Sequence, residues 1–147
     1  MYGLVNKAIH ELIEKEHGES AWEQICARAG LDDQLFISHE SYPDDVTYNL
    51  IAAASETLDV DSESLLEKLG EHWILHTAHA GYGHMLESSG KNLGEFLINL
   101  PNFHTRVQLI FPKLKPPHFE CAYVSERSVT LSYHTHRAGL TPFLIGL

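Results

Sequence analysis

The chain has 147 residues, 44% of them hydrophobic, with 20 Asp and Glu against 10 Lys and Arg for a formal charge of −10. That length fits one domain with a real core, and the charge repels phosphate backbones and anionic bilayers alike, which argues against nucleic acid and membrane as partners. The two cysteines, Cys26 and Cys121, stand in no metal spacing and offer no disulfide framework. With no signal-like start and no apolar run of transmembrane length, the expectation is a soluble cytoplasmic domain.

Leu4, Val5, Ala8, Ile9, Leu12 and Ile13 recur at helical spacing between residue 2 and about 17, with Asn6, Lys7, Glu11, Glu14 and Lys15 on the other face. Ser20 is the expected N-cap of a second helix that runs through Trp22, Ile25 and Cys26 and stops at Gly30. Asp44 and Asp45 are expected to cap a third helix and to complement its dipole. Asp61 or Ser62 caps a fourth, which carries Leu65, Leu66, Leu69, Trp73 and Thr77 along one side and ends at Gly81-Tyr82-Gly83. His72, His76 and His79 fall on it at i, i+4 and i+7, a spacing that can share zinc or nickel. No cysteine or carboxylate completes a familiar metal signature there, so a solvated histidine face is the simpler reading.

A short helix over 93–100 then leads into a separate one that Pro101 opens and Pro112 stops. On that second helix His104, Val107, Gln108 and Phe111 share an inward face. A neutral imidazole on an apolar stripe can ligate a metal through Nε2, and an apolar wall around it suits haem iron. The bland alternative is a core histidine that hydrogen-bonds a carbonyl.

After Pro116-Pro117 the chain turns extended, with a strand from Phe119 to about Val124, a turn at Glu126-Arg127 and a partner strand from Val129 to about His136. Alternation places Val129, Leu131, Tyr133, Thr135 and Arg137 on one face, an apolar floor with an anion-binding rim. Gly139 to Leu147 reads as the first turns of a last helix. With no repeat, linker or low-complexity run, the parse is one α+β domain over 1–147, helical to about 111, with the hairpin and the start of the last helix over about 117–147.

Tyr133-His134-Thr135-His136-Arg137, followed by Gly139-Leu140, resembles the Tyr-x-Ser-x-Arg signature of the haem nitric oxide/oxygen-binding (H-NOX) family, which includes the sensor domain of soluble guanylate cyclase. Met1-Tyr2-Gly3, the Asp44-Asp45 helix, His104 and Pro116-Pro117-x-Phe119-x-Cys121 are similar to the family at matching places. Tyr123-Val124-Ser125-Glu126-Arg127 matches the signature literally, but it crosses the predicted turn and lacks the Gly-Leu that follows, so the later copy is preferred and Thr135 replaces the serine.

The resemblance implies a helical subdomain packed on a C-terminal helix and antiparallel sheet that enclose haem b (iron protoporphyrin IX). Family chains run on through more of the last helix and two more strands, so the fold would be truncated at its C-terminus. His104 would be the axial ligand of the iron. Tyr133, Thr135 and Arg137 would bind the propionates, Asp45 would steady Arg137, and Pro117 would press on and distort the porphyrin. Met1, Val5, Trp73, Thr77, Phe143 and Leu147 would line the distal side. Oxygen-binding members carry a tyrosine five residues after the signature arginine, where this chain has Pro142.

The implied function is therefore a sensor that binds nitric oxide and carbon monoxide with little stable dioxygen binding and catalyses nothing itself. It would signal to a separate protein such as a histidine kinase, a diguanylate cyclase or a guanylate cyclase. A zinc- or nickel-binding module and a haem-free interaction domain remain the rival readings.

Overall fold

The computed structural model describes residues 1–31, 35–125 and 128–147, and of 123–125 the backbone alone. The turn expected at Glu126-Arg127 and the side chains of the literal motif copy at Tyr123 and Ser125 lie outside the described residues. In chain order the elements are α1 (Gly3–His17), α2 (Glu19–Ala29), α3 (Asp44–Leu58), α4 (Ser62–His72), a π-helical turn (Trp73–Ala78), α5 (His79–Glu87), α6 (Leu93–Ile110), β1 (His118–Ser125), β2 (Ser128–His134) and α7 (Thr141–Gly146). The class is α+β, with a two-stranded antiparallel sheet. Two compact units result, Met1–Thr77 with Gly139–Leu147, and Ala78–Ala138.

The first unit is a helical packet. Its core takes Ile9, Leu12 and Ile13 from α1, Ile25 from α2, Leu50 and Ala54 from α3, and Leu65 and Leu69 from α4, the periodic apolar positions of each helix. Each large aliphatic side chain so removed from water contributes about 1.5–3 kcal/mol before entropy is counted.

The helix ends differ in part from expectation. Asp61 caps α4, its Oδ1 accepting from the Ser64 amide at 2.9 Å, and Gly30 closes α2 in the left-handed region at φ 70°. Gly18, not Ser20, precedes α2. Pro43, not an aspartate, is the N-cap of α3, with no side-chain cap bond. Asp44 serves another partner, since its Oδ1 accepts from the Met1 ammonium at 2.5 Å, while Tyr42 O accepts from the same group at 2.6 Å. Both acidic residues still lie in the first turn, where negative charge complements the helix dipole.

The fourth helix does not run unbroken to Gly81. It widens into the π turn directly after His72, and Gly81-Tyr82-Gly83 makes only a kink inside α5, where Tyr82 takes φ −139° and ψ 21°. His72 is 7% exposed, its Nε2 has no hydrogen-bond partner among the described residues, and Glu11 Oε2 stands 3.8 Å away. Burial, assisted by the neighbouring His76 and opposed by Glu11, holds this imidazole below the ordinary histidine range.

Two glycines let α7 lie directly on α4. A Cβ at Gly70 would fall on the Phe143 carbonyl, and one at Gly146 on the Glu67 carbonyl, so neither position has room for a methyl group. The same approach sets Phe143 against Trp73, with ring centroids 6.3 Å apart and planes at 68°.

In the second unit, Asn92 starts α6 by accepting from the Glu95 amide at 3.0 Å. This helix is continuous over 18 residues with Pro101 inside it, so the expected break into two helices does not occur. Pro101 lacks the N–H that would reach the Leu97 carbonyl, and one missing bond is not enough to end a helix held on both sides. β1 and β2 pair with His118 opposite His134, Phe119 opposite Tyr133 and Cys121 opposite Leu131. The second strand ends at His134, short of the expected His136.

Ala ordinarily stabilises a helix relative to Gly, yet Gly70→Ala and Gly146→Ala are each expected to lower stability by about 1–3 kcal/mol through backbone collision. Urea denaturation measures this, and a gain from either substitution would contradict the close approach. Because the folded His72 titrates below its unfolded value of about 6.5, the unfolded chain binds the extra proton first as pH falls. Stability should therefore decline below pH 6.5, and His72→Leu should flatten that part of the profile in urea midpoints measured from pH 7.5 to 5.

Candidate functional site

The side chains that carry chemistry in the second unit gather where α6 faces the Pro116-Pro117 segment and β1. A cleft of about 280 Å³ is lined there by Pro101, His104, Thr105, Gln108, Pro116, Pro117, His118 and Phe119. His104 and Pro117, which were expected to act on the same group, thus share one cleft. On the helix side of it, Thr105 Oγ1 donates to Pro101 O one turn earlier at 3.1 Å.

His104 Nδ1 is 3.0 Å from Leu100 O. A carbonyl oxygen can only accept, so Nδ1 carries the proton and Nε2 is left with the lone pair. Burial pushes the His104 pKa down, and the Leu100 hydrogen bond only partly opposes this, so the ring is neutral near pH 7. A neutral imidazole with its tautomer fixed in this way is the donor that a haem iron needs, and in that respect the residues fit the group. The carbonyl-bonded histidine of the bland reading and the metal-ready histidine are the same arrangement.

Tyr133 lies on β2 opposite Phe119, with ring centroids 5.3 Å apart. Thr135 and Arg137 fall beyond the strand, so the three signature residues do not all project from one strand face as alternation had placed them. The Thr135 hydroxyl accepts from the Arg137 amide at 3.1 Å, and the Arg137 guanidinium donates to Lys115 O at 3.0 Å. Gln108 is exposed, contrary to its expected inward position, and donates to Leu114 O at 3.2 Å. The Phe119 ring and the carbonyls of Leu100 and Lys115 were missed in the sequence. Only the first carbonyl, four residues before a helical histidine, had a spacing that could have found it.

The residues expected on the distal side all belong to the first unit. Trp73 opens the π turn and touches Phe143. Thr77 Oγ1 donates to Glu11 Oε2 at 3.5 Å, so that hydroxyl already has an acceptor. Met1 is held by Tyr42 and Asp44, Val5 is half-buried on α1, and Leu147 is exposed after α7. Asp45 is exposed in the first turn of α3.

Among the described residues, no group of three or more His, Cys, Asp or Glu side chains is placed to hold a metal ion. The His72 and His76 rings are 4.8 Å apart, but Lys15 Nζ lies 3.2 Å from His76 Nε2, where its ammonium opposes a cation. No helix among the described residues is long and apolar enough to cross a membrane.

Comparison with known proteins identifies what this arrangement is similar to. Soluble guanylate cyclase gcy-37 of Caenorhabditis elegans is 31% identical over 150 residues, covering 100% of this chain and 21% of that protein. Soluble guanylate cyclase 89Db of Drosophila melanogaster is 25% identical over 146 residues, covering 99% of this chain and 22% of that protein. The chain therefore spans about a fifth of these relatives' length. In fold it matches an H-NOX protein from S. oneidensis in the Fe(II)NO ligation state (TM-score 0.88, 14% identity, 99% of this chain and 80% of that one). It also matches the Fe(II) unliganded H-NOX protein from K. algicida (TM-score 0.86, 22% identity, 99% of this chain and 78% of that one). The haem-NO-binding family model matches residues 2–147, nearly the whole chain, and the chain belongs to that family.

Proposed function

We propose that residues 1–147 act as one haem-based gas-sensing domain that holds haem b through His104 Nε2. The observation that carries this reading is the His104 tautomer: Nδ1 donates to Leu100 O at 3.0 Å, which leaves the lone pair of a neutral, half-buried ring on Nε2. Bound there, the haem supplies a ferrous iron with a free position for a diatomic gas. Pro117 lines the same cleft and is the residue that would press on the ring system. Tyr133, Thr135 and Arg137 are the proposed partners of its carboxylates. The guanidinium is the strongest of these, because paired N–H donors match a carboxylate. Asp45 is the proposed support for Arg137.

Ligand choice follows from the donors this chain can offer. Stable dioxygen binding favours a hydrogen-bond donor on the distal side, whereas nitric oxide and carbon monoxide need none. Position 142, where the resemblance puts the tyrosine of oxygen-binding members, is a proline. The proposed distal set Met1, Val5, Trp73, Thr77, Phe143 and Leu147 is mostly apolar, with Trp73 and Thr77 its possible donors, and Thr77 already donates to Glu11. The domain should therefore bind nitric oxide and carbon monoxide and hold dioxygen poorly. Its output would be a change in how α6 and β1 are held, read by a separate or appended protein such as a guanylate cyclase, a diguanylate cyclase or a histidine kinase. Catalysis would belong to that partner. The cyclase names of the relatives, and the four-fifths of their length outside the matched region, support that division.

Absorption spectra of the reduced, haem-loaded protein test the reading. Adding nitric oxide or carbon monoxide should each shift the Soret band, while air should produce no stable oxygenated spectrum. His104→Gly should change the unliganded spectrum, and added imidazole should restore it. A wild type that stays colourless with excess hemin would end the proposal. Arg137→Ala should speed haem transfer to an acceptor protein roughly tenfold, the equivalent of one charge-assisted hydrogen bond of about 1.5 kcal/mol. An unchanged rate would remove Arg137 from the site.

A further inference from the structure

The His104 ring meets two aromatic neighbours. Phe119 stacks nearly parallel to it, with centroids 5.4 Å apart and planes within 13°, and Phe103 meets it edge-on at 5.7 Å and 79°. The hydrogen bond to Leu100 O fixes one ring atom. The torsion that turns an imidazole about its bond to Cβ is broad, however, and a single neutral hydrogen bond restrains it weakly. A carboxylate on Nδ1 would hold the ring harder; the partner here is an uncharged carbonyl. The flat face of Phe119 supplies the missing restraint.

Phe119 can do this because it is itself held. It is 6% exposed, sits on β1 directly opposite Tyr133, and packs against the Tyr133 ring at 5.3 Å and 31°. The three rings form a column from α6 across β1 to β2. An aliphatic side chain would fill the space but offer no flat face to align a parallel ring, so it would hold the plane of the imidazole less closely.

We propose that Phe119 is a positioning residue: its ring sets the plane of the His104 imidazole, and hence the direction in which Nε2 presents its lone pair. The part of this that concerns iron rests on the haem reading above. The part that concerns the imidazole does not, and the two can be tested apart.

In the haem-free full chain, NMR should give nuclear Overhauser contacts between the His104 and Phe119 ring protons, and Phe119→Leu should remove the ring-current shift on the His104 resonances. Phe119→Tyr, which keeps the face, should restore it. In the haem-loaded ferrous protein, resonance Raman should find the iron–histidine band shifted or broadened in Phe119→Leu and recovered in Phe119→Tyr. Phe119→Met, which keeps most of the bulk without the face, should behave as Phe119→Leu does, and recovery of the band there would mark a mere packing role and overturn the proposal. The proposal is overturned if the wild-type ring contacts are absent, an outcome that does not depend on how any variant folds. It is also overturned if Phe119→Leu keeps the wild-type melting temperature and leaves the His104 resonances unmoved. Failure to bind haem would sink the functional reading alone, because the haem-free spectra still decide the role of Phe119.

Discussion

The hydrogen bond from His104 Nδ1 to the Leu100 carbonyl joins the backbone of α6 to the chemistry the helix presents. It exists because the two residues are one helical turn apart on α6. The hydrogen bond fixes the tautomer, the tautomer frees Nε2, and burial keeps the ring uncharged. A charged imidazole would have no lone pair to give.

The helical unit depends on different physics. Its core is ordinary apolar packing, but two features at its edge are specific: the glycine contacts that bring α7 onto α4, and the cluster around Glu11. Glu11 stands near a buried neutral histidine and accepts from Thr77, so one carboxylate touches both the end of α4 and the π turn after it. A π turn costs regular hydrogen bonding and recurs at functional positions. Here it carries Trp73 and Thr77, two residues of the proposed distal set, and the aromatic contact from Phe143 supports the first of them.

Family membership and site chemistry rest on separate grounds. The family follows from a match across nearly the whole chain and from the shared fold. The chemistry follows from a few atoms in the second unit: a fixed imidazole, a proline in the same cleft and an aromatic column that reaches β2. The relatives named as guanylate cyclases are about five times longer than this chain.

Most of the helices were legible in the sequence because each has an apolar face of helical period, and that pattern determines which residues enter the core whatever the tertiary arrangement. Asp61 and Gly30 marked ends correctly because a capping bond or a left-handed residue acts locally. The errors arose where a local signal competes with packing. Pro101 marks a helix start in isolation, but inside α6 it costs one bond that the flanking turns outweigh. Asp44 prefers to cap, but the Met1 ammonium is a stronger partner. Strand alternation placed Thr135 and Arg137 on one face with Tyr133, while the chain leaves the sheet at His134 and uses the threonine hydroxyl to hold the arginine amide. The sequence by itself determined the fold class, most of the helix faces and the histidine worth examining, though Gln108 and the buried Asn6 lie opposite to their expected sides. Only the tertiary structure decided which nitrogen of that histidine is free and which ring holds its plane, because Phe119 lies fifteen residues further on and meets His104 only when β1 packs on α6.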